Sequence, residues 1–340
     1  MSGKALATYF AILDGDQRAN YLRAKQHLVK IDIGSAELAL WSAHDAEVDR
    51  PDNNLVRTPE PSLLDLKAEL AQRTLRDCHL CERRCGIDRT FGETGHCGVQ
   101  DARISSEFIH MGEEPDLIPS YTVFFSGCTF NCVFCQNWDI STRPGSGRAI
   151  DPVDLAERIE RMVETERNGR ASTKVKNVNW VGGDPTPNLP FILEVLKRCR
   201  ANIPQIWNSN MYLSVETMKL LNGIVDVYLT DWKYGNDKCA SRLSNAPKYT
   251  GIMERNHRLG REHAEMIIRH LVLPGHIDCC TRPALTWIAE NLKDVQVNVM
   301  AQYRPEHRAL EFDDIAHPLT LAEYREAIEI AETLGLDLCD

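Results

Sequence analysis

The sequence predicts an α/β fold built on a parallel sheet covered by helices, preceded by a small cysteine-rich unit and a helical N-terminal extension. Three observations predict it. From about Tyr121 onward, short apolar runs alternate with amphipathic stretches, the pattern of βα units. The runs are continuously apolar, as strands buried on both faces are. Polar residues gather where each run ends, and parallel sheets bind their ligands at the carboxyl ends of strands. A barrel-like arc and an open doubly wound sheet both satisfy these observations.

A chain of 340 residues, 43% hydrophobic and 26% charged, can bury one large core and a small second one. Its net charge of −10 argues against nucleic acid, whose binding rests on Lys and Arg neutralising phosphates. A protein or small-molecule partner is expected. The early apolar run "ALATYFAIL" is about half the length that spans a bilayer, and Asp14 and Asp16 end it. It reads as an amphipathic helix without a cleavage site, so no membrane and a cytoplasmic location are expected. Twelve cysteines in that setting favour metal chemistry over disulfides.

Taken in order, residues 1–62 are a helical extension closed by the polar, proline-bearing linker "DAEVDRPDNNLVRTPEP" (45–61), and are expected to be an appendage. Residues 63–118 form the cysteine-rich unit, too short for a core of its own and in need of metal. Residues 119–340 carry six strands, "TVFFSG", "NVNWVGG", "QIWNSN", "VDVYLTDW", "MIIRHLVLPG" and "VQVNVMAQY", with helices between them. Asp151 and Pro152 start the first helix, whose stripe is Leu155, Ile159, Met162 and Val163. The second carries Ile192, Val195, Leu196 and Cys199. Thr320 and Glu323 form a capping box for the last helix, and Gly335 stands where a C-terminal cap belongs.

The loop after strand one, "SGCTFNCVFCQNW", holds Cys128, Cys132 and Cys135. Four thiolates close a zinc site, whereas a cubane iron–sulfur cluster held by three keeps one iron open to a ligand. Strand two ends in "GGDP", with Gly182, Gly183 and Asp184, where a backbone without Cβ lets a ligand approach. Strand three ends in Asn208 and Ser209, and strand four in Asp231 with Lys233 two residues on. A second group, Cys78, Cys81, Cys85 and Cys97, is a complete set of four; zinc is placed ahead of an auxiliary cluster there. Cys199, Cys239 and Cys339 read as packing residues. Cys279 and Cys280 lie near the rim after strand five, and Arg269, His270 and Arg304 are candidates for a substrate carboxylate or carbonyl.

"CTFNCVFC" resembles the cluster motif of the radical S-adenosylmethionine (radical SAM) superfamily, and "GGDP" its second motif, with Asp184 where Glu is commoner. The stretches "HMGEEPDLIPS", "YLTDWKY", "RHLVLPG" and "MAQYRP" are together similar to a narrower group, the pyruvate formate-lyase activating enzyme-like proteins with an N-terminal cysteine-rich unit. The resemblance covers about Leu63 to Leu336. It implies a partial (β/α)6 barrel of radical SAM type and a 4Fe–4S cluster on Cys128, Cys132 and Cys135. It implies S-adenosylmethionine as cofactor, with Phe134 against the adenine, Gly182, Gly183 and Asp184 near the amino group, and Lys233 nearby. In authentic activating enzymes, strand-end carboxylates help hold a monovalent cation; Asn208, Ser209 and Asp231 occupy those places here. The implied activity is reductive cleavage of S-adenosylmethionine to a 5′-deoxyadenosyl radical that abstracts hydrogen, from a glycyl radical enzyme or from a small molecule or peptide. A low-potential donor such as ferredoxin or flavodoxin is the implied partner. The competing class is a non-catalytic metal or electron-transfer protein, which would have four protein ligands on each metal and no cofactor pocket.

Overall fold

The computed structural model describes residues 5–49, 61–164 and 174–339. One eight-stranded sheet organises them: β1 (Ile104–His110), β2 (Ser120–Phe125), β3 (Asn177–Gly182), β4 (Gln205–Ser209), β5 (Val227–Asp231), β6 (Glu265–Leu271), β7 (Gln296–Met300) and β8 (Asp337–Leu338). The strands lie side by side in chain order. β1 is antiparallel to β2, and every other pair is parallel. A doubly wound sheet reverses its order at a switch point; this one does not. The six expected strands are β2 to β7. β1 and β8 were not expected, because β1 is half-exposed at an edge and β8 is two residues long.

Helices α1 (Ala7–Leu13), α2 (Asn20–Gln26), α3 (Glu37–Glu47) and α4 (Leu63–Thr74) precede the sheet. α5 (Trp138–Ser141) and α6 (Pro152–Glu164) follow β2, α7 (Leu189–Arg198) follows β3, and α8 (Val215–Leu221) follows β4. α9 (Asp237–Ser244) and α10 (Tyr249–His263) follow β5, α11 (Arg282–Asn291) follows β6, and α12 (Leu321–Thr333) follows β7. Local chemistry sets these boundaries. Asp151 Oδ1 accepts from Val153 N at 2.8 Å to open α6, the Thr320–Glu323 capping box opens α12, and Gly335 takes a positive φ after it. The stripes Leu155/Ile159 and Ile192/Val195/Leu196 are buried against the sheet side of the core, as their spacing requires.

The N-terminal extension is not an appendage. Leu6 and Tyr9 join Leu117, Ile206, Val227, Leu229 and Ile267 in a fully buried cluster beneath the amino ends of the strands. The first-turn N–H groups of α1 have no intrahelical acceptor, and Glu265 at the start of β6 supplies one: its carboxylate accepts from Thr8 N at 2.6 Å and Tyr9 N at 2.8 Å. Asn20 N likewise donates to Asp226 Oδ1 at 2.9 Å. Of the expected linker, residues 45–47 complete α3, and residues 50–60 lie outside the described residues.

The cysteine-rich stretch also divides differently. α4 is buried along most of its length, and β1 is part of the sheet. Residues 75–103 carry little regular structure and pack over the strand ends: Glu82 N donates to Tyr212 O at 3.1 Å, Ser214 N to Leu80 O at 3.2 Å and Arg83 Nε to Thr129 O at 3.0 Å. Among the described residues, no helix is long and apolar enough to cross a membrane.

Candidate active site

Beyond the carboxyl ends of the parallel strands lies a cavity of about 690 Å³, lined by Cys128, Cys132 and Cys135 together with strand-end groups from β3 to β7. The loop that carries the three thiols leaves β2 through Gly127, at φ +87°, where a Cβ would stand 2.3 Å from Val99 Cγ2. Each sulfur has a polar neighbour. Phe130 N donates to Cys128 Sγ at 3.4 Å, Ser244 Oγ to Cys132 Sγ at 2.9 Å, and Ser141 Oγ lies 3.3 Å from Cys135 Sγ. Burial holds the Cys128 thiol well above its usual range, and Asp184 and the neighbouring cysteines add to this. Burial also raises Cys132, to about 11, against the pull of Lys233. Such thiols stay protonated at neutral pH until a metal takes the proton's place.

The "GGDP" glycines serve the protein's own backbone first. A Cβ on Gly182 would lie 2.2 Å from Phe125 O, and one on Gly183 would lie 2.1 Å from Gly127 O, so both permit the strand end to seat against the cluster loop. Gly183 N donates to Phe125 O at 2.9 Å and Asp184 N to Gly127 O at 3.1 Å. Asp184 lies behind the cavity wall. Its carboxylate accepts from Thr186 N (2.9 Å), Ser209 Oγ (2.9 Å) and Asn210 N (3.0 Å), and burial raises its pKa in spite of them. It fixes the backbone after β3 and β4 and offers no oxygen to a ligand.

Asn208, Ser209, Asp231 and Lys233 all line the cavity. Lys233 Nζ pairs with Asp231 Oδ2 at 2.6 Å. Burial opposes the lysine's charge, but Asp231 and then Cys132 outweigh it, and Lys233 stays protonated. Phe134 is buried, edge-on to Tyr303 at 5.8 Å and to Tyr234 at 6.5 Å between ring centroids, so its ring is held in place.

Sequence reasoning missed the functional content of "HMGEEPDLIPS". Glu113 and Glu114 enter the cavity wall from the loop after β1 and both pair with Arg269. Glu114 Oε1 also accepts from Asn298 Nδ2 at 2.8 Å. Two adjacent carboxylates before a strand were the available signal. Arg269 therefore lines the cavity already neutralised, rather than awaiting a substrate carboxylate. His270 is a core residue: its nitrogens bond Trp232 O at 2.7 Å and Thr281 Oγ1 at 2.9 Å. Arg304 is on the surface, near Glu306.

The N-terminal cysteines form a separate group over the strand ends. Burial raises the Cys81 and Cys97 thiols, and the other cysteines of the group raise them further. Backbone N–H groups of Arg83 and Val99 point at the Cys81 and Cys97 sulfurs, and His96 N donates to Cys85 Sγ at 3.4 Å. Among the described residues, the potential ligand atoms that all lie within 4.8 Å of one another belong to a different set, Cys239, His276, Cys279 and Cys280. Cys199 packs in the core beside Tyr21, as expected.

A sequence model of the Radical SAM superfamily matches residues 122–288, which span the cluster loop and β2 to β6. The chain carries a radical SAM superfamily domain. An uncharacterised protein of Methanocaldococcus jannaschii, MJ0674, is 44% identical over 344 residues, covering 98% of both chains. Solved structures align at low similarity. Streptococcus suis SuiB bound to S-adenosylmethionine has a TM-score of 0.46 at 16% identity, covering 62% of this chain and 47% of that one. Escherichia coli QueE has a TM-score of 0.40 at 16% identity, covering 71% and 94%. This chain thus spans about half the length of SuiB. Radical SAM membership implies a 4Fe–4S cluster and S-adenosylmethionine, and the donor set fits them: three thiols of one loop, with N–H and O–H donors at their sulfurs, open on one polar cavity.

Proposed function

We propose that this radical SAM enzyme reductively cleaves S-adenosylmethionine and that the 5′-deoxyadenosyl radical abstracts a hydrogen atom from a macromolecular substrate, leaving the radical there, as in pyruvate formate-lyase activating enzyme-like proteins acting on a glycine backbone. The observation that carries the chemistry is the convergence of Cys128, Cys132 and Cys135 on the cavity at the carboxyl ends of β2 to β7, which we read as a partial (β/α)6 barrel. When bound, the cluster and cofactor supply electron delivery and a 5′-deoxyadenosyl radical. The chain's residues do the positioning. Phe134 offers an immobilised ring face for the adenine, Asn208 and Ser209 offer polar groups, and the Lys233–Asp231 pair keeps opposite charges beside the cluster cysteines. The loop and strand ends shield the site from water.

Exposed Met111 and Trp138 adjoin in sequence the cavity-lining Gly112 and Asn137, and we take them to favour a macromolecular substrate. A small molecule is the second reading, supported by the cavity's volume of about 690 Å³, within the range of small-molecule sites. At the N-terminal site, thiolates on one zinc stand about 3.8 Å apart, given Zn–S bonds near 2.3 Å. Cys78, Cys81, Cys85 and Cys97 supply the four thiols of such a site, and we read them as holding a structural zinc ahead of an auxiliary iron–sulfur cluster. Anaerobic incubation of the reduced holoprotein with cell extract and labelled S-adenosylmethionine tests the function. Release of 5′-deoxyadenosine with a glycyl radical on a protein supports the activating role; release with only a modified metabolite overturns it.

A further inference from the structure

We infer that Cys239, His276, Cys279 and Cys280 form a structural zinc site separate from both cysteine groups that the sequence singles out. It does not depend on the function proposed above. The four ligand atoms lie within 4.8 Å of one another. Cys239 Sγ is 4.0 Å from Cys279 Sγ, which is 3.8 Å from Cys280 Sγ; His276 Nδ1 is 3.3 Å from Cys279 Sγ and 3.5 Å from Cys280 Sγ. A tetrahedral ion with Zn–S bonds near 2.3 Å and a Zn–N bond near 2.0 Å demands S···S of about 3.8 Å and S···N of about 3.5 Å. A disulfide would need sulfurs about 2.05 Å apart, half the separations seen.

The surroundings are those of a built site. His276 presents Nδ1 to the sulfurs while Nε2 meets Asp314 Oδ2 at 2.9 Å, so the ring donates its remaining proton to a carboxylate, the arrangement that orients zinc-bound histidines. Arg242 pairs with the same carboxylate, offsetting the negative charge that three thiolates leave around a dication. Asn236 Nδ2 donates to Cys239 Sγ at 3.3 Å. The backbone is shaped to the task as well. Residues Ile277–Thr281 form a π-turn, with Thr281 N bonded to His276 O at 3.2 Å, which brings His276, Cys279 and Cys280 to one side; such turns cluster at functional sites. Gly235 lets the loop after β5 settle on this turn, since a Cβ there would lie 2.8 Å from both Cys279 O and Cys280 O.

Four protein ligands close the site, which makes it structural rather than catalytic. Binding releases the three thiol protons and leaves the redox state of the sulfurs unchanged. The ion would tie α9 to the turn before α11, and, through Asp314, to the segment after β7. α9 ends at Ser244, whose hydroxyl donates to the cluster ligand Cys132.

Elemental analysis of the full chain, purified anaerobically under reducing conditions, tests the site. Cys239→Ser, Cys280→Ser and His276→Ala should each lose about one zinc per chain and keep their iron. His276→Cys should retain the zinc, and Asp314→Asn should weaken its hold against a chelator by about 10–100-fold. Cys81→Ser should leave this zinc in place. In the wild type, zinc should shield Cys239, Cys279 and Cys280 from alkylation until chelator is added, a readout that survives if the variants fold poorly. Free alkylation of these three in zinc-replete protein, or unchanged zinc in Cys239→Ser and Cys280→Ser, overturns the assignment.

Discussion

At the scale of single residues, the cluster loop divides cleanly into ligands and support. Cys128→Ala, Cys132→Ala and Cys135→Ala are each expected to abolish 5′-deoxyadenosine formation in an anaerobic turnover assay, because two thiolates do not hold a cubane. Phe134→Ala is expected to act differently. Its ring contacts Tyr234 and Tyr303 and supplies no thiolate, so iron content should stay near the wild-type level while cofactor affinity falls roughly 5- to 150-fold, by analogy with the about 1–3 kcal/mol of a base stacked on an aromatic. Isothermal titration with S-adenosylmethionine reads this directly, and an unchanged affinity would sink the role given to Phe134. The three cysteines were legible because they are neighbours in sequence. Asp184 was legible only as a strand-end acid, since nothing local reveals that Thr186, Ser209 and Asn210 turn their donors toward it. The Cys239 set was hidden for a plainer reason: 36 residues separate Cys239 from the His276–Cys280 turn, and the π-turn that gathers the others has no sequence pattern of its own.

At the scale of elements, strands β2 to β6 could be read because both faces are largely buried and each carries an apolar run. β1 could not, since its "ISSEFIH" mixes exposed and half-buried positions at the sheet's edge. α1 and α2 were recognisable as helices, but side chains and backbone groups that hold them lie 107 to 257 residues away and leave no local trace. Tyr9→Ala removes a fully buried ring from beneath the strands, and equilibrium unfolding in urea should show a loss of about 3–5 kcal/mol, the usual consequence of truncating a core aromatic. The same interface has a pH signature. Burial raises Asp226 to about 7 from an ordinary 3.8, in spite of the Asn20 and Gln205 N–H groups that it accepts from. The folded state thus binds a proton that the unfolded state releases, so this group's contribution falls as pH rises from about 4 to about 7 and is flat above. Denaturation midpoints across that range should decline less steeply in Asp226→Asn than in the wild type; parallel curves would remove Asp226 as the cause.

At the scale of the whole molecule, three sulfur-rich places surround one rim. The readings above require about four irons and two zincs per chain in reconstituted protein, four irons at Cys128, Cys132 and Cys135 and one zinc each at the N-terminal set and the Cys239 set. About eight irons and one zinc would make the N-terminal cysteines an auxiliary cluster. The sequential strand order and the seat of α1 also have a temporal consequence. Tyr9 packs on Ile206, Val227, Leu229 and Ile267, and the carboxylate that receives its N–H belongs to Glu265. On a ribosome, the first helix of this chain is made before any of these groups exists, and it has to wait, apolar face uncovered, through most of translation. Contacts of such long sequence separation form late and leave intermediates open to aggregation. The first helix therefore stays uncovered until β6 has been made, and gains from a chaperone's cover until then.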